Sequence, residues 1–380
     1  MKKLVLLFAL ALLCAALEAQ GPRPLFRVAG EPIRVGDRPA DIAVADLNGD
    51  SHPDLLTANN GGNTISVLLG DGRGEFRAAA GSPLAGCPVT HLVVPGDVNI
   101  DHKLDLAITC HDSNDVIIYL GDGRGGFTSA PGSPFPLLRG TQPHNHGLAL
   151  ADVNGDAHPD ILTSNQNHHS VSVLLGDGRG GFRPAGGSPF PVGRAPYPLA
   201  AGDVNGDGHA DVVTPNVGSN NVTVLLGDGR GGFAPAPASP LAVATRPYFV
   251  ALGDLNGDRK LDLAVAHDDI TLITVLLGDG RGGFRPAPGS PLDAGARGGE
   301  VLLVDVNGDA RLDLVTGTDA NTVVVLLGDG AGRFRPAPGS PYATGRGPWG
   351  VAAADINGDG KPDILTTNFD DNNVRILLRD

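Results

Sequence analysis

One motif, Asp-x-Asn-Gly-Asp-x-x-x-Asp, recurs seven times with a single departure, beginning at Asp46, Asp97, Asp152, Asp203, Asp254, Asp305 and Asp355. The intervals are 51, 55, 51, 51, 51 and 50 residues. A period of this length means that one supersecondary unit is copied, and that neighbouring copies bury their apolar faces on one another. Each motif is followed by a short apolar run (Asp262-Leu-Ala-Val-Ala), a polar loop, a second run (Thr274-Val-Leu-Leu) and a Gly-Asp-Gly turn ending in Phe. Four short strands fit each period. Several runs are continuously apolar rather than alternating, which predicts strands covered on both faces. From residue 22 onward no segment holds a helical period for ten residues without glycine, proline or an Asp-Asn cluster breaking it. Four-stranded sheets stacked radially satisfy all of this, so the expected fold is an all-β, seven-bladed β-propeller.

The two ends of the chain complement each other. Phenylalanine closes the turn at Phe76, Phe127, Phe182, Phe233, Phe284 and Phe334, but the seventh repeat stops at Leu377-Leu-Arg-Asp380 before reaching one. At the other end, Phe26-Arg-Val-Ala-Gly-Glu-Pro32 matches Phe182-Arg-Pro-Ala-Gly-Gly-Ser-Pro189 with one residue fewer. The N-terminal strand is therefore expected to become the outer strand of the last blade, making residues 22–380 one closed domain. A linear solenoid would need capping repeats instead. Before it, Met1-Lys2-Lys3, an apolar run to Leu17 and small residues up to Ala19 read as a secretory signal over 1–19. Leu13 before Cys14 is too large for a lipoprotein signal, so release is favoured over lipid anchoring. No later run is long enough to span a bilayer. The expected location is secreted or extracytoplasmic.

Net charge is −14, which argues against a nucleic-acid or anionic-membrane partner. Half of the 42 acidic residues are the three aspartates of the seven motifs, and such clustering is costly unless cations neutralise it. Hard oxygen donors at positions 1, 3, 5 and 9, with a backbone carbonyl at position 7, suit Ca²⁺. The expected ligand sets are Asp46, Asn48, Asp50 and Asp54; Asp97, Asn99, Asp101 and Asp105; Asp152, Asn154, Asp156 and Asp160; Asp203, Asn205, Asp207 and Asp211; Asp254, Asn256, Asp258 and Asp262; Asp305, Asn307, Asp309 and Asp313; and Asp355, Asn357, Asp359 and Asp363. That allows up to seven Ca²⁺, one per blade. Glycine at position 4 permits the positive φ that curls the loop. Loop two departs, because Ile100 stands there and β-branched residues resist positive φ. Position 7 is always basic (His52, Lys103, His158, His209, Lys260, Arg311, Lys361), consistent with a carbonyl ligand whose side chain points outward.

The Asp-x-Asn-Gly-Asp loop and the Leu-Leu-Gly-Asp-Gly-Arg-Gly-Gly-Phe run resemble the FG-GAP, or VCBS-type, repeat family over residues 26–380. The resemblance implies an integrin-α-like seven-bladed propeller with calcium on the loop between first and second strands, on the lower face. It names no ligand, because fold and function are separable.

If the calcium loops face down, function is expected on the upper loops. Six residues before each motif stand Ala40, His91, His146, Tyr197, Tyr248, Gly299 and Trp349. Gathering two of four tyrosines and the lone tryptophan in one column suggests a stacking ring at the mouth of the central shaft. The competing reading is that these rings pack between blades. Histidines are abundant on the same side of blades two and three: His91, His111, His144, His146, His168 and His169. The connection into blade three is four residues longer than usual, which lets Gln142-Pro-His-Asn-His146 project beside Asn165-Gln-Asn-His-His169. A transition metal or a catalytic site there is one reading and ordinary loop polarity the other. Cys87 and Cys110, near the top of blade two, are a candidate disulfide in an oxidising compartment. The leading functional expectation is a non-catalytic scaffold for an extracellular glycan or protein, with His91, His144, His146, Tyr197, Tyr248 and Trp349 as candidate ligand-binding residues. Motifs for a serine elbow, a zinc protease or a phosphate loop are absent from the sequence. The alternatives are a polysaccharide lyase or hydrolase using the histidines with Glu300 or Asp41, and a structural component of a surface complex.

Overall fold

The structure, a computed structural model, describes residues 23–138 and 144–380. The expected signal at 1–19 and the Gln142 end of the entry into blade three lie outside the described residues.

Seven antiparallel sheets follow one another along the chain. In blade one the inner strand Pro39–Ala45 pairs with Asp54–Asn59, which pairs with Thr64–Gly70. The fourth, outer position comes in two pieces, Phe76–Ala78 and Leu84–Ala85, both against Thr64–Gly70. Between the pieces the Ser82 hydroxyl accepts the Val67 N–H, and Ser133, Ser188, Ser239, Ser290 and Ser340 act likewise in blades two to six. The repeated Ser-Pro thus has a physical reason: the break in the outer strand would otherwise leave a strand amide unpaired.

The second strand of every blade is buried along all six residues, as the continuous apolar runs predict. Seven apolar clusters form, one at each junction between neighbouring blades. Leu56 and Val67 of blade one meet Val93 and Ile108 of blade two, for example, while Ile42 and Leu55 meet Leu365 and Val374 of blade seven. Stability is therefore distributed around the ring, and each blade depends on both neighbours.

The ring closes as the chain ends predict. Phe26–Val28 pairs with the last strand, Asn373–Arg379, Phe26 facing Arg379 where Phe76 faces Gly70 in blade one. Ile33–Arg34 supplies the second outer piece opposite Val374 and Asn373. Phe26 is 2% exposed and meets Tyr342 of blade six edge to face at 5.5 Å, as Phe182 meets Phe135 and Phe233 meets Phe190 at 5.3 Å. Among the described residues blade seven has no Gly-Asp-Gly turn. In four other blades an amide of that turn donates to the preceding blade's motif (Gly125 N–H to the Leu47 carbonyl, for instance). At the seam the Arg379 guanidinium takes over, donating to the Asn307 carbonyl at 2.8 Å.

Phe26→Ala removes the plug at this seam and should cost about 3–5 kcal/mol, the range for deleting a buried phenylalanine. Val28→Ala, two residues on and exposed, should stay within about 0.5 kcal/mol. Urea denaturation of the two variants beside the parent checks the contrast.

Candidate functional site

Two opposite ends of the inner strands carry the residues with chemistry. At the exit end lie the seven aspartate loops. In loop one the Asp46 carboxylate accepts the amides of Asn48, Gly49, Asp50 and Ser51, and Asp50 accepts that of His52. The ninth residue behaves differently, because it opens the buried second strand. Asp54 is fully buried, one oxygen accepting the Leu47 N–H at 2.8 Å and the other the Gly70 N–H at 2.9 Å. Asp105, Asp160, Asp211, Asp262, Asp313 and Asp363 repeat both bonds, with Arg379 in the place of the glycine in blade seven. Burial, with repulsion from the first and fifth aspartates, pushes all seven carboxyls up, Asp160 and Asp313 to about 6. Uncompensated repulsion among hard oxygens is what a divalent cation relieves.

One detail of these loops differs from expectation, and a second adds to it. Ile100 adopts the left-handed conformation at φ 60°, close to the 78° of Gly49, so loop two keeps the shared path at a conformational cost of about 1–2 kcal/mol. The basic residue at position 7 is exposed in five of the seven loops and rests its side chain over a neighbouring turn. His52, Lys103, His158, His209, Lys260 and Arg311 lie across the second glycine of their own blade's Gly-Asp-Gly turn, where a Cβ on Gly72 would stand 2.3 Å from the His52 ring. That glycine is needed for clearance as well as for its φ of +68°.

At the entry end, roughly 20 Å away along a seven-residue strand, the inner strands lose their regular pairing. Register breaks between Pro39 and Asp41, Thr90 and Val93, Pro247 and Phe249, Gly298 and Val301, and Pro348 and Val351. In blades three and four only isolated bridges remain there, Asn145 to Asn165 and Pro196 to Asn216. Such irregularities re-aim side chains, and here they fall on the aromatic column. Ala40, His91, Tyr197, Tyr248, Gly299 and Trp349 all line a cavity of about 460 Å³ at the mouth of the shaft. His146 is buried beside it, stacked on Tyr197 at 3.9 Å, and Tyr197 leans on Tyr248 at 4.5 Å. Trp349 stands apart, 41% exposed and stacked on Phe369 at 4.7 Å. The column is thus an arc of rings packed on one another plus one exposed indole.

Sequence reasoning missed most of the cavity's polar rim: Asp268, Arg297, Asp319, Asn321 and Asp370. Ion pairs Arg246–Asp268 and Arg297–Asp319, at 2.5 and 2.7 Å, brace it. The available signal was an arginine eight residues before a motif and an aspartate six after its end, in blades five and six. Asp41, buried, and Glu300, half-buried, also line the cavity. Each reaches the next blade, Asp41 accepting the Val93 N–H at 2.8 Å and Glu300 the Val351 N–H at 3.0 Å. Burial pushes Asp41 up to about 6, and burial together with the Asp41 charge pushes Glu300 well above the carboxylate range. Both shifts favour the protonated form of the pair over the doubly ionised one.

The histidines divide into two groups. His168 and His169 are exposed. The rings of His111 and His144 have centroids 3.7 Å apart, and His146 lies 4.9 and 4.6 Å from them. Burial holds His91 down at about 3 and His144 at about 4, with neighbouring histidines adding repulsion, and His146 well below its usual value. These three rings are neutral at physiological pH. Cys87 and Cys110 form a disulfide with Cα atoms 5.5 Å apart, one residue before His111.

The sequence pattern of the FG-GAP-like repeat matches residues 46–108, 97–163, 152–214, 216–265, 256–316 and 305–366. This chain belongs to the FG-GAP-like repeat family. No curated protein matches the family member by sequence. Solved structures match it in fold. They include BBS1N in complex with ARL6DN (TM-score 0.65, 10% identity, 94% of this chain and 98% of that one). A lectin from Agrocybe aegerita specific for non-reducing terminal N-acetylglucosamine gives a TM-score of 0.55 at 19% identity, over 87% and 85% of the two chains. Virginiamycin B lyase from Staphylococcus aureus gives 0.58 at 15% identity, over 93% and 100%. At these identities the likeness is one of fold alone. Among the described residues no helix is long and apolar enough to cross a membrane.

The raised carboxyls predict a pH dependence. In the window above the ordinary carboxyl pKa and below the raised values, the native FG-GAP-like protein binds more protons than the unfolded chain, so stability falls as pH rises. Glu300→Gln keeps an acceptor for the Val351 amide and removes the ionisable group. Its stability should match the parent near pH 4 and exceed it at pH 8, read by thermal denaturation across that range.

Proposed function

We propose that this protein is an extracytoplasmic, calcium-braced propeller that binds a glycan in the mouth of its shaft without transforming it. The observation that carries the reading is the cavity of about 460 Å³ with an exposed indole at its edge. A concave site of that size suits a small ligand better than a flat protein surface. Trp349, held against Phe369, offers an aromatic face to a sugar ring. Asn321, Asp319 and Asp370 supply acceptors and donors for hydroxyl groups. The lining carries Asp41, Asp268, Glu300, Asp319 and Asp370 against Arg297 alone, a balance that disfavours uronic acids and favours neutral or amino sugars. Structures of similar fold include a lectin, a lyase and a complex with a protein partner, so fold alone does not select among these activities.

The calcium proposal rests on the buried ninth carboxylates and their crowding by the first and fifth. In each loop the four side chains named above would hold the ion, which would supply charge neutralisation and a clamp between inner and second strands. A cation bound by the folded loops alone stabilises by mass action. Full removal of metal by chelation should therefore lower the melting temperature of the parent markedly and restore it on readdition of Ca²⁺. An unchanged melting curve after verified removal rejects calcium.

A second reading, a polysaccharide-acting enzyme, is favoured by one observation: Asp41 and Glu300, both pushed above the ordinary carboxyl range by burial, face the same cavity. Such a pair can act as acid and base. Their bonds to Val93 and Val351 explain them equally as clasps between blades, so binding is preferred. Calorimetric titration of the calcium-loaded protein with neutral, amino and uronic oligosaccharides separates the readings. Binding of neutral or amino sugars should weaken at least about tenfold in Trp349→Ala, the loss of one stacking contact of about 1.4 kcal/mol. Equal affinity in the variant rejects the site; turnover that disappears in Glu300→Gln favours the enzyme; and no sugar bound at all leaves a purely structural role.

A further inference from the structure

We infer that His111, His144 and His146 form a binding site for a late first-row transition metal ion, Zn²⁺ in the first instance, separate from the aspartate loops and from the shaft cavity. One ligating nitrogen from each of the three rings lies within 4.8 Å of the other two. Among the described residues this is the group of histidine, cysteine and acidic side chains gathered that closely. Zn–N bonds of 2.0–2.1 Å in a tetrahedron put nitrogens about 3.3 Å apart, so the rings must draw in by about 1 Å or a little more. His111 and His144 are only partly buried and have room to do so.

The surroundings hold the rings as ligands are held. His111 contacts the Asp112 carboxylate through Nδ1, the orienting partner that metal-bound histidines typically have, and this leaves Nε2 for a metal. His146 Nδ1 lies 3.3 Å from His91 Nε2, which leaves His146 Nε2. The Gln166 side chain makes a polar contact with that ring, but no hydrogen bond of ordinary geometry reaches the buried Nε2. His146 is 4% exposed, and a buried polar nitrogen left unpaired needs an explanation that an ion would supply.

The backbone is fixed as well. Asn145 donates its N–H to the His111 carbonyl, Gln166 to the His144 carbonyl at 2.8 Å, and His146 to the Ser164 carbonyl at 3.1 Å. The Cys87–Cys110 disulfide pins the chain immediately before His111. Because both cysteines are paired and no carboxylate belongs to the trio, the donor set is three imidazoles. That set suits Zn²⁺, Cu²⁺ or Ni²⁺ and not Ca²⁺ or Mg²⁺. Three protein nitrogens also leave a fourth position for water or an outside ligand.

The test uses the full chain saturated with Ca²⁺, so that the aspartate loops do not compete, and titrated with Zn²⁺ or Co²⁺. One equivalent of Zn²⁺ should survive gel filtration, and Co²⁺ should give the intense visible absorption of a tetrahedral site, displaced by Zn²⁺. His111→Ala and His144→Ala should each weaken binding at least about a hundredfold, and Asp112→Asn about 10–100-fold. His168→Ala, at an exposed ring outside the trio, should change nothing. Both trio positions are partly exposed, and near-ultraviolet circular dichroism confirms that the variants fold. Absence of retained zinc in the parent, a weak six-coordinate cobalt spectrum, or undiminished binding in the His111 and His144 variants each overturns the inference.

Discussion

Each blade depends on one buried aspartate. The ninth residue of the motif opens the second strand inside the junction between blades, where a bare carboxylate would be expensive. It is retained because its two oxygens each receive a backbone amide, one from the loop and one from the end of the third strand. A single side chain thereby ties inner strand, loop, second strand and third strand together. The loop residue whose amide it holds offers its carbonyl to the next blade in four of the seven repeats. The lower face is a chain of such links, and the ring inherits its regularity from them.

The same arrangement explains why the seam works. Blade seven is assembled from both ends of the chain, yet the substitutes match the parts they replace: Phe26 for the turn phenylalanine, and the Arg379 guanidinium for a turn amide. Closure asks for no covalent bond because the junction on either side of the seam buries the same kinds of side chain as every other junction. With no single central core, loss of one junction exposes two blade faces at once, and cooperativity follows from the ring itself.

The upper face obeys a different rule. There the inner strands leave regular pairing, and the repeats cease to be equivalent. Blades five, six and seven carry arginine–aspartate pairs, blade seven an exposed indole besides, and blades two and three a histidine cluster with a disulfide beside it. A scaffold made rigid from below can vary above without loss of fold, which is how a single architecture comes to carry unrelated sites.

Much of this was legible in the sequence. The period, the continuous apolar runs and the mismatched ends determined a closed seven-bladed ring, because burial on both faces and the absence of a seventh phenylalanine admit few other solutions. The aromatic column was legible too, since residues six before each motif share one height in the ring. Its packing was not. That His146 lies against Tyr197 while Trp349 stacks on Phe369, that Asp41 and Glu300 line one cavity from either side of blade seven, and that His111 joins His144 and His146 from a different blade are facts of juxtaposition. Strand order and period say which end of a blade a residue occupies. The angles at which irregular strand ends and loops approach are set by packing between blades, so only the tertiary structure could decide which of those residues touch.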